Sequence, residues 1–561
     1  MPFGRSWPAI VWLARWTDRG PYWLPVTDPL GATDRLLELA DTLAGSWGAR
    51  ARATTSAGQE RAILRLFGVS GLDRAGRPLA AATVDRWLAA LPGSLGGGIA
   101  LPFAMALLEY DLDPVQLAQD ITSGAVDLAL EAELLRRPDR RAVAEAEATR
   151  LAAAAVERID AERTVRRETI DVLGDAAHPW VGTTVLEPDV TDALEAAPEL
   201  VAAGMDLLRV EIPIGRELAA RLTDAGIEVP EWRPSQRASQ TSPSGRSEPV
   251  EPAPTGSQRA LTELRRALDQ AAAERRGYVR LATAAPALWA PESAVVAAFE
   301  RIDLVASDPM SEIVVDGVDP DRALADHAFA HRLHGRSGTL VAIGAGPLVV
   351  GPDLRAGVPS DAATRSGRAL ALQLISVALA RAAGVPPAQM VAGGLPAWLA
   401  DEPSPAARAI AEVVVRRALF PDLALGIAEP TGPHAEDPAA AARWPHILGA
   451  ALVHAGDVAV VLRQGQRDPW ALARGTRATI GVAADVAGAT SRGALEGIAR
   501  QHAEGMLAAA TATLERLSER GWSVLSDDPS GIVARRPLGS DAVAERTETF
   551  DPFGATLGSR A

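Results

Sequence analysis

Residues 180–212, WVGTTVLEPDVTDALEAAPELVAAGMDLLRVEI, contain the pattern that decides the fold. Val181–Val185 and Asp206–Ile212 are short runs rich in apolar and β-branched residues, which predict strands. Thr191–Ala203, between them, has the apolar spacing of a helix. Strands joined in this way pair in parallel through a right-handed crossover. The stretch therefore predicts one strand–helix–strand unit of an α/β fold.

The same alternation continues along the chain to about residue 420. Segments with helical spacing separate three further predicted strands, at 278–282, 303–306 and 339–343. The number of units favours a TIM-type (β/α)8 barrel over an open sheet. We assign this barrel to residues 166–420.

Three other regions flank the predicted barrel, and a fourth interrupts it. Residues 1–30 form an N-terminal extension, and residues 31–165 carry the patterns of a helical N-terminal region. Residues 421–561 are predicted to be a C-terminal helical accessory region. Residues 228–257 are rich in Ser, Pro and Gly and have no apolar periodicity, which predicts a disordered loop insert after a barrel strand.

Composition excludes several classes of function. The net charge of −15 argues against nucleic acid as a partner, because binding a polyanion depends on clustered positive charge. The apolar runs are shorter than the roughly 18 residues of a membrane span. Without Cys there is no disulfide or thiolate ligand, and without a signal-peptide pattern we expect a cytoplasmic protein. All 56 basic residues are Arg, so no side chain of this chain can form a Schiff base with an aldehyde cofactor.

Three histidines occur at helical spacing in the sequence HAFAHRLH. His327, His331 and His334 would share one face of a predicted helix, a spacing that is compatible with a metal site. The chain has no Cys, however, and the nearest carboxylate is Asp326. We therefore expect a partly exposed helix face and no metal.

Ordered blocks of sequence carry a family resemblance. The chain resembles the α subunit of lysine 5,6-aminomutase, the barrel-forming chain of an enzyme that uses adenosylcobalamin and pyridoxal phosphate (PLP). The resemblance implies a TIM-barrel subunit in a hetero-oligomer with a cobalamin-binding β subunit, which also supplies the lysine for PLP. The blocks are Glu60–Ala62 with Arg65–Val69, Leu117–Gln119 with Val126–Leu128, Tyr278–Leu281, Ala298–Asp303, Ala383–Pro386 and Asp551–Phe553.

The resemblance also indicates where a cofactor cleft would lie, at the carboxyl ends of the barrel strands. Ser311 and Asp316 stand where the family has Tyr and Arg, so a phosphate-binding cation is replaced by an anion. We take Arg209, Glu217, Ser311 and Asp316 as candidates for this cleft, and we assign no catalytic residue. The positions that match the family's polar ones are Ile212, Glu217, Pro286, Ser311, Asp316 and Gly346, with Arg209 and Arg216 as nearby cations.

Two functions remain open at this point. The first is a working isomerase subunit that helps to move the terminal amino group of a basic amino acid to the adjacent carbon. The second is a catalytically degenerate paralogue, a barrel that binds a partner or another ligand. Losing several charged contacts to a phosphate would cost several kcal/mol, at roughly 1.5–3 kcal/mol for each. Whether the chain is an enzyme therefore depends on how the cations of the cleft are placed.

Overall fold

The structure is a computed structural model. It describes residues 29–73, 77–185, 190–210, 254–285, 288–314, 318–344, 361–395, 403–428, 438–455, 458–464, 475–476, 478, 492–522, 543–548, 550–554 and 557. The extension predicted for residues 1–30 lies outside these ranges, except for its last two residues. The loop predicted for residues 228–257 also lies outside them up to residue 253, and a helix begins at Pro254.

The N-terminal region is helical, as predicted. Polar side chains start several of its helices; for example, the Ser56 hydroxyl accepts from the amide of Gln59, and Asp113 accepts from the two amides that follow Pro114. The last of these helices extends past residue 165, where we had placed the boundary. The elements are α1 (Pro29–Arg52), β1 (Thr54–Ser56), α2 (Ala57–Leu66), α3 (Leu79–Ala90), α4 (Ala100–Tyr110), α5 (Pro114–Ser123), α6 (Leu128–Leu134) and α7 (Pro138–Leu173).

Parallel strands then close into an eight-stranded barrel in chain order, which confirms the predicted fold class. Because β2 pairs with β9, this sheet has no free edge. The strands are β2 (Trp180–Val185), β3 (Leu207–Val210), β4 (Arg280–Ala284), β5 (Leu304–Ala306), β6 (Leu340–Ile343), β7 (Met390–Gly393), β8 (Ala424–Ala428) and β9 (Val458–Gln464).

Helices follow the strands and pack on the outside of the barrel. Aspartates cap two of them: Asp319 accepts from two amides of the first turn of α12, and Asp361 accepts from the amide of Thr364 in α13. The helices are α8 (Val190–Ala202), α9 (Pro254–Arg275), α10 (Ala290–Phe299), α11 (Pro309–Val314), α12 (Pro320–Ser337), α13 (Ala362–Ala382), α14 (Pro405–Leu419), α15 (Pro438–Ala455) and α16 (Arg492–Arg520).

The two faces of the barrel strands have different compositions. Outward side chains such as Leu208, Leu281 and Val305 belong to the large core shared with the helices. Inward side chains form a small separate core, which includes Trp180, Leu207, Ala282, Leu304, Ala306, Ala342 and Val391. Barrel interiors are usually filled by Val, Ile and Leu. Alanine at the carboxyl ends of β4, β5 and β6 fills less volume, which leaves room at that end of the barrel.

The barrel does not end at residue 420, where the sequence analysis placed its limit. Strands β8 and β9 lie in the region that was predicted to be helical and accessory, and residues 447–463 contain the end of α15 and most of β9 rather than one helix. The run AVVL in β9 has no alternation, and a short apolar run of this kind cannot be distinguished from helix by periodicity. Helix α16 confirms the helix that was predicted at residues 491–519.

A last strand, β10 (Val543–Glu545), pairs antiparallel with β1. Among the described residues, no helix is both long enough and apolar enough to cross a membrane.

Candidate functional site at the carboxyl end of the barrel

Arg209 lies inside the barrel near the carboxyl end of β3. Its neighbours Leu208 and Val210 belong to the outer core and Leu207 to the inner one, so strand alternation directs Arg209 inward. The residue is only 7% exposed. The observed register therefore gives Arg209 the inward orientation that a cation of the cleft requires.

Thr184 of β2 is the partner of Arg209 in the strand register. Paired positions of parallel strands share a face of the sheet, so the buried Thr184 also lies on the inner side. A cation and a hydroxyl at one level of the barrel suit an anionic group such as a phosphate or a carboxylate. Thr184 was not among the residues predicted from the sequence, although the pair Thr183–Thr184 near a strand end was a usable signal.

Ser311, the second described candidate, lies in the first turn of α11, after β5. Its amide donates to Asp308 Oδ1 at 3.2 Å, as does that of Met310 at 3.0 Å. The same oxygen accepts from Ser376 Oγ at 2.5 Å, and Asp308 Oδ2 accepts from the amide of Gly344 at 3.0 Å. Asp308 therefore joins the ends of β5 and β6 to α11 and α13, and its oxygens are occupied by protein donors.

The remaining cleft positions lie outside the described residues. They are Ile212, Arg216, Glu217, Pro286, Asp316 and Gly346. The structure thus places Arg209 and Ser311 at one end of the barrel, Arg209 on its second strand, β3, and Ser311 in helix α11 after its fourth strand, β5.

Gln373 of α13 braces the ends of two neighbouring strands. Its Nε2 donates to the carbonyl oxygens of Ile343 and Gly393, each at 3.0 Å, and its Oε1 accepts from Arg416 Nε. Gly344, at the end of β6, has a φ of 65°, and a Cβ there would come within 2.9 Å of Gln373 Nε2. This part of the rim is therefore fixed from outside the barrel.

A hydrogen-bonded chain of Ser307, His327 and Glu312 lies behind β5. The Ser307 hydroxyl is 2.9 Å from His327 Nδ1, and His327 Nε2 is 2.6 Å from Glu312 Oε2. Glu312 Oε1 accepts from the amide of Leu288, in the connection after β4. All three side chains are buried on the outer side of the strand, so the chain fixes the connections of the rim and exposes no nucleophile to the barrel interior.

The expectation of a partly exposed histidine face was wrong. His327, His331 and His334 are 3%, 1% and 0% exposed. The helix α12 is covered on that side by α1, α11 and α13, which local periodicity does not show. The ring centroids of His327 and His331 are 5.6 Å apart, and those of His331 and His334 are 6.5 Å apart. Among the described residues, no group of three His, Cys, Asp or Glu side chains is arranged to hold a metal ion.

Burial also lowers the pKa values of two of these histidines. The pKa of His331 falls well below its usual value, and that of His334 falls to about 3, with the neighbouring imidazole of His327 adding to the burial effect. Neither ring nitrogen of His334 has a hydrogen-bond partner among the described residues. His334 is thus a neutral imidazole whose polar atoms are unsatisfied.

Replacing His334 with Leu should remove part of the pH dependence of stability. Between pH 6.5 and about 3, the unfolded chain binds a proton at this position and the folded chain does not, so the parent loses stability as the pH falls. From pH 6.5 to pH 5, the free energy of unfolding of H334L should therefore rise relative to that of the parent by roughly 2 kcal/mol. Urea unfolding at both pH values measures it.

The comparison with the parent is needed because some buried acids act in the opposite direction. Burial raises the pKa values of Glu60 and Asp326, so the stability that these groups contribute to the protein is lost as the pH rises. They contribute equally to both proteins and cancel in the difference. Parallel pH profiles for parent and variant would contradict the assigned pKa of His334.

The chain is similar in sequence to known proteins over most of this architecture. The family described as the D-lysine 5,6-aminomutase TIM-barrel domain of the alpha subunit matches residues 32–222 and 253–436, which include α2 to α7 and strands β2 to β8.

Two curated relatives bear the name lysine 5,6-aminomutase alpha subunit. The protein of Acetoanaerobium sticklandii is 27% identical over 339 residues, which are 60% of this chain and 58% of that protein. The protein of Fusobacterium nucleatum subsp. nucleatum is 25% identical over 346 residues, again 60% of this chain and 58% of that protein. The match thus spans less than two thirds of either relative. With the family match extending over more than half of its length, the chain belongs to the family of the TIM-barrel domain of the D-lysine 5,6-aminomutase alpha subunit.

Proposed function

We propose that this chain is the barrel subunit of an aminomutase that works with PLP and adenosylcobalamin on lysine or a related basic amino acid. The observation that carries the proposal is that Arg209 and Thr184 occupy paired positions and face the interior of a closed barrel. Small residues line the interior at the carboxyl end of this barrel. When bound, the two cofactors supply radical chemistry and a carbonyl that holds the migrating amino group. The chain's own contribution is to bind an anionic group and to enclose the reacting atoms away from water.

The residues present fit the anionic part of PLP. A guanidinium forms two parallel hydrogen bonds to phosphate, and a neighbouring hydroxyl adds a third donor. Arg209 is nearly buried, and a charge-assisted contact is stronger where water is excluded. Elsewhere on the same rim, Asp308 and Gln373 fix the ends of β5, β6 and β7.

A second subunit is part of the proposal. The chain contains no Lys, so the amine that anchors PLP must come from another polypeptide. The word subunit in the names of both relatives is consistent with such an assembly. We infer a hetero-oligomer with a cobalamin-binding β subunit, in the cytoplasm.

Titration of PLP into the complex with such a β subunit tests the proposal. Arg209→Ala should weaken PLP binding at least tenfold, or about 1.4 kcal/mol, because it removes the buried cation that faces the barrel interior. Thr184→Val keeps the shape of the side chain and should weaken binding only a few-fold. Arg136→Ala, on an exposed side chain of the N-terminal region, is the matched control and should change nothing.

The degenerate paralogue is the second candidate, favoured by Ser311 and Asp316 at positions where the family has Tyr and Arg. If the chain is a degenerate paralogue, it should bind PLP at least roughly tenfold more weakly than a working subunit does. Arg209→Ala should then leave PLP binding unchanged. Micromolar binding that depends on Arg209, together with conversion of lysine by the complex, would exclude it. A folded complex that binds neither cofactor would exclude the aminomutase instead.

A further inference from the structure

A cavity of about 240 Å³ lies on the outer surface of the barrel, between the end of α1, the middle of α12 and the end of α13. An apolar cavity of about 150 Å³ in another protein is large enough to hold benzene. This cavity can therefore take a small organic molecule. It is separate from the barrel mouth, because its walls are formed by the outer sides of the helices.

Most of the cavity wall is hydrocarbon. Leu324 of α12, Leu379 of α13 and Leu557 near the chain end contribute large apolar side chains, and alanines from all three helices complete the wall. Such a wall excludes a strongly hydrated ligand, because polar groups without a partner are costly to bury. The ligand must have an apolar body.

The polar side chains of the cavity carry only positive charge or none. Those of the described residues are Arg52, His327, His331 and Arg332, and no described Asp or Glu lines the cavity. His331 is neutral at ordinary pH, because burial lowers its pKa. Among the described residues, its Nε2 has two long contacts, of 3.4 Å each, with the hydroxyl and the carbonyl oxygen of Ser307.

The two arginines differ in what they already bind. Arg332 Nη1 is 3.2 Å from Asp551 Oδ2, and its Nη2 donates to the carbonyl oxygen of Phe553. Arg52 is exposed at the cavity mouth, and no ion pair joins it to a described residue. The cavity thus has an apolar interior and, at its opening, a cation that no described residue neutralises.

We propose that this cavity binds a small amphipathic carboxylate, with its hydrocarbon part among Leu324, Leu379 and Leu557 and its carboxylate at Arg52. Charge complementarity selects the anion, and the volume and the wall select a short aliphatic or aromatic body. The site does not depend on the aminomutase proposal, since none of its residues belongs to the barrel mouth.

Isothermal titration of the full chain with hexanoate, hexanol and hexylamine at low salt tests the site. Hexanoate should bind more tightly than hexanol, and hexylamine should not bind. Arg52→Ala should weaken hexanoate binding roughly three- to tenfold and leave hexanol unchanged, since an exposed charge contributes less than a buried one. Arg136→Ala, an exposed arginine far along the chain, is the control and should leave both unchanged.

A second variant tests the position of the hydrocarbon part. Ala328 lines the cavity, so Ala328→Phe should fill it and abolish binding of hexanoate and hexanol alike, with the thermal transition confirming that the variant is folded. If that variant does not fold, Arg52→Glu decides alone: on this exposed side chain it should reduce hexanoate binding further than Arg52→Ala. Equal binding of hexanoate and hexylamine, binding indifferent to Arg52, or no binding at millimolar hexanoate would each overturn the proposal.

Discussion

Replacing Asp303 with Ala is expected to lower the free energy of unfolding by roughly 3–5 kcal/mol. Asp303 lies just before β5, at the amino end of the barrel, and is 4% exposed. Its Oδ1 accepts from Tyr278 Oη at 2.8 Å, and its Oδ2 accepts from the amide of Leu281 at 2.8 Å. It also pairs with Arg166 at 3.3 Å and with Arg265 at 3.2 Å.

The expected loss is large because both guanidiniums stay buried when Asp303 is removed. Arg166 and Arg265 are 7% and 2% exposed, so water cannot replace the missing carboxylate. The negative charge of Asp303 also raises the pKa of Tyr278, in addition to the effect of burial, so the phenol remains a donor at all ordinary pH values. Denaturant unfolding of D303A against the parent measures the effect.

Two variants serve as controls for this result. Asp303→Asn keeps the size of the side chain and one acceptor and should lose less than D303A. Asp139→Ala removes an exposed partner of Arg137 and should change stability by no more than about 0.5 kcal/mol. A loss below about 1 kcal/mol for D303A would show that other groups, such as Asp269 beside Arg265, are sufficient to compensate both guanidiniums.

Replacing Gly367 with Ala is expected to destabilise the protein by roughly 1–3 kcal/mol, against the usual preference of helices for Ala. Gly367 lies in α13 where α16 crosses it. A Cβ at this position would be 2.4 Å from the carbonyl oxygen of Met506 and 2.6 Å from the Cβ of Ala509. Backbone and Cβ atoms cannot rotate away, so the two helices must separate.

Gly45 of α1 is the matched control. It also lies within a helix, but a Cβ there would meet no atom within 4 Å. Gly45→Ala should therefore stabilise the protein by about 0.5–1 kcal/mol. Thermal or denaturant unfolding of both variants gives the comparison, and a stabilising G367A would show that α13 and α16 are not in close contact.

The parts of the fold that the sequence predicted are those with strong local patterns. The strand VGTTV is rich in β-branched residues, and its prediction is confirmed. The strand ALGIA at Ala424–Ala428 has only one β-branched residue, so its local preference does not distinguish it from loop or helix. Its role in the barrel comes from pairing with β7 and β9, which no local pattern shows.

The candidate site was predictable to a similar degree. Arg209 was predicted as one of two cations near the cleft, and its inward orientation follows from strand alternation in the observed register. The hydrogen bonds among Ser307, Glu312 and His327 join the end of β5 to α11 and α12 through side chains, so spacing alone could not reveal them. The burial of the three histidines depends on neighbouring helices in the same way.

The pairing of β1 with β10 has a consequence for biosynthesis. Thr54 to Ser56 pair with Val543 to Glu545, and the amide of Thr547 donates to the carbonyl oxygen of Gly96. About 490 residues separate the two strands, which a ribosome adds in roughly 25–100 s at 5–20 residues per second. The edge of the first strand therefore stays without its partner until Glu545 has been synthesised, and a chaperone that binds exposed strands would find this one during that interval.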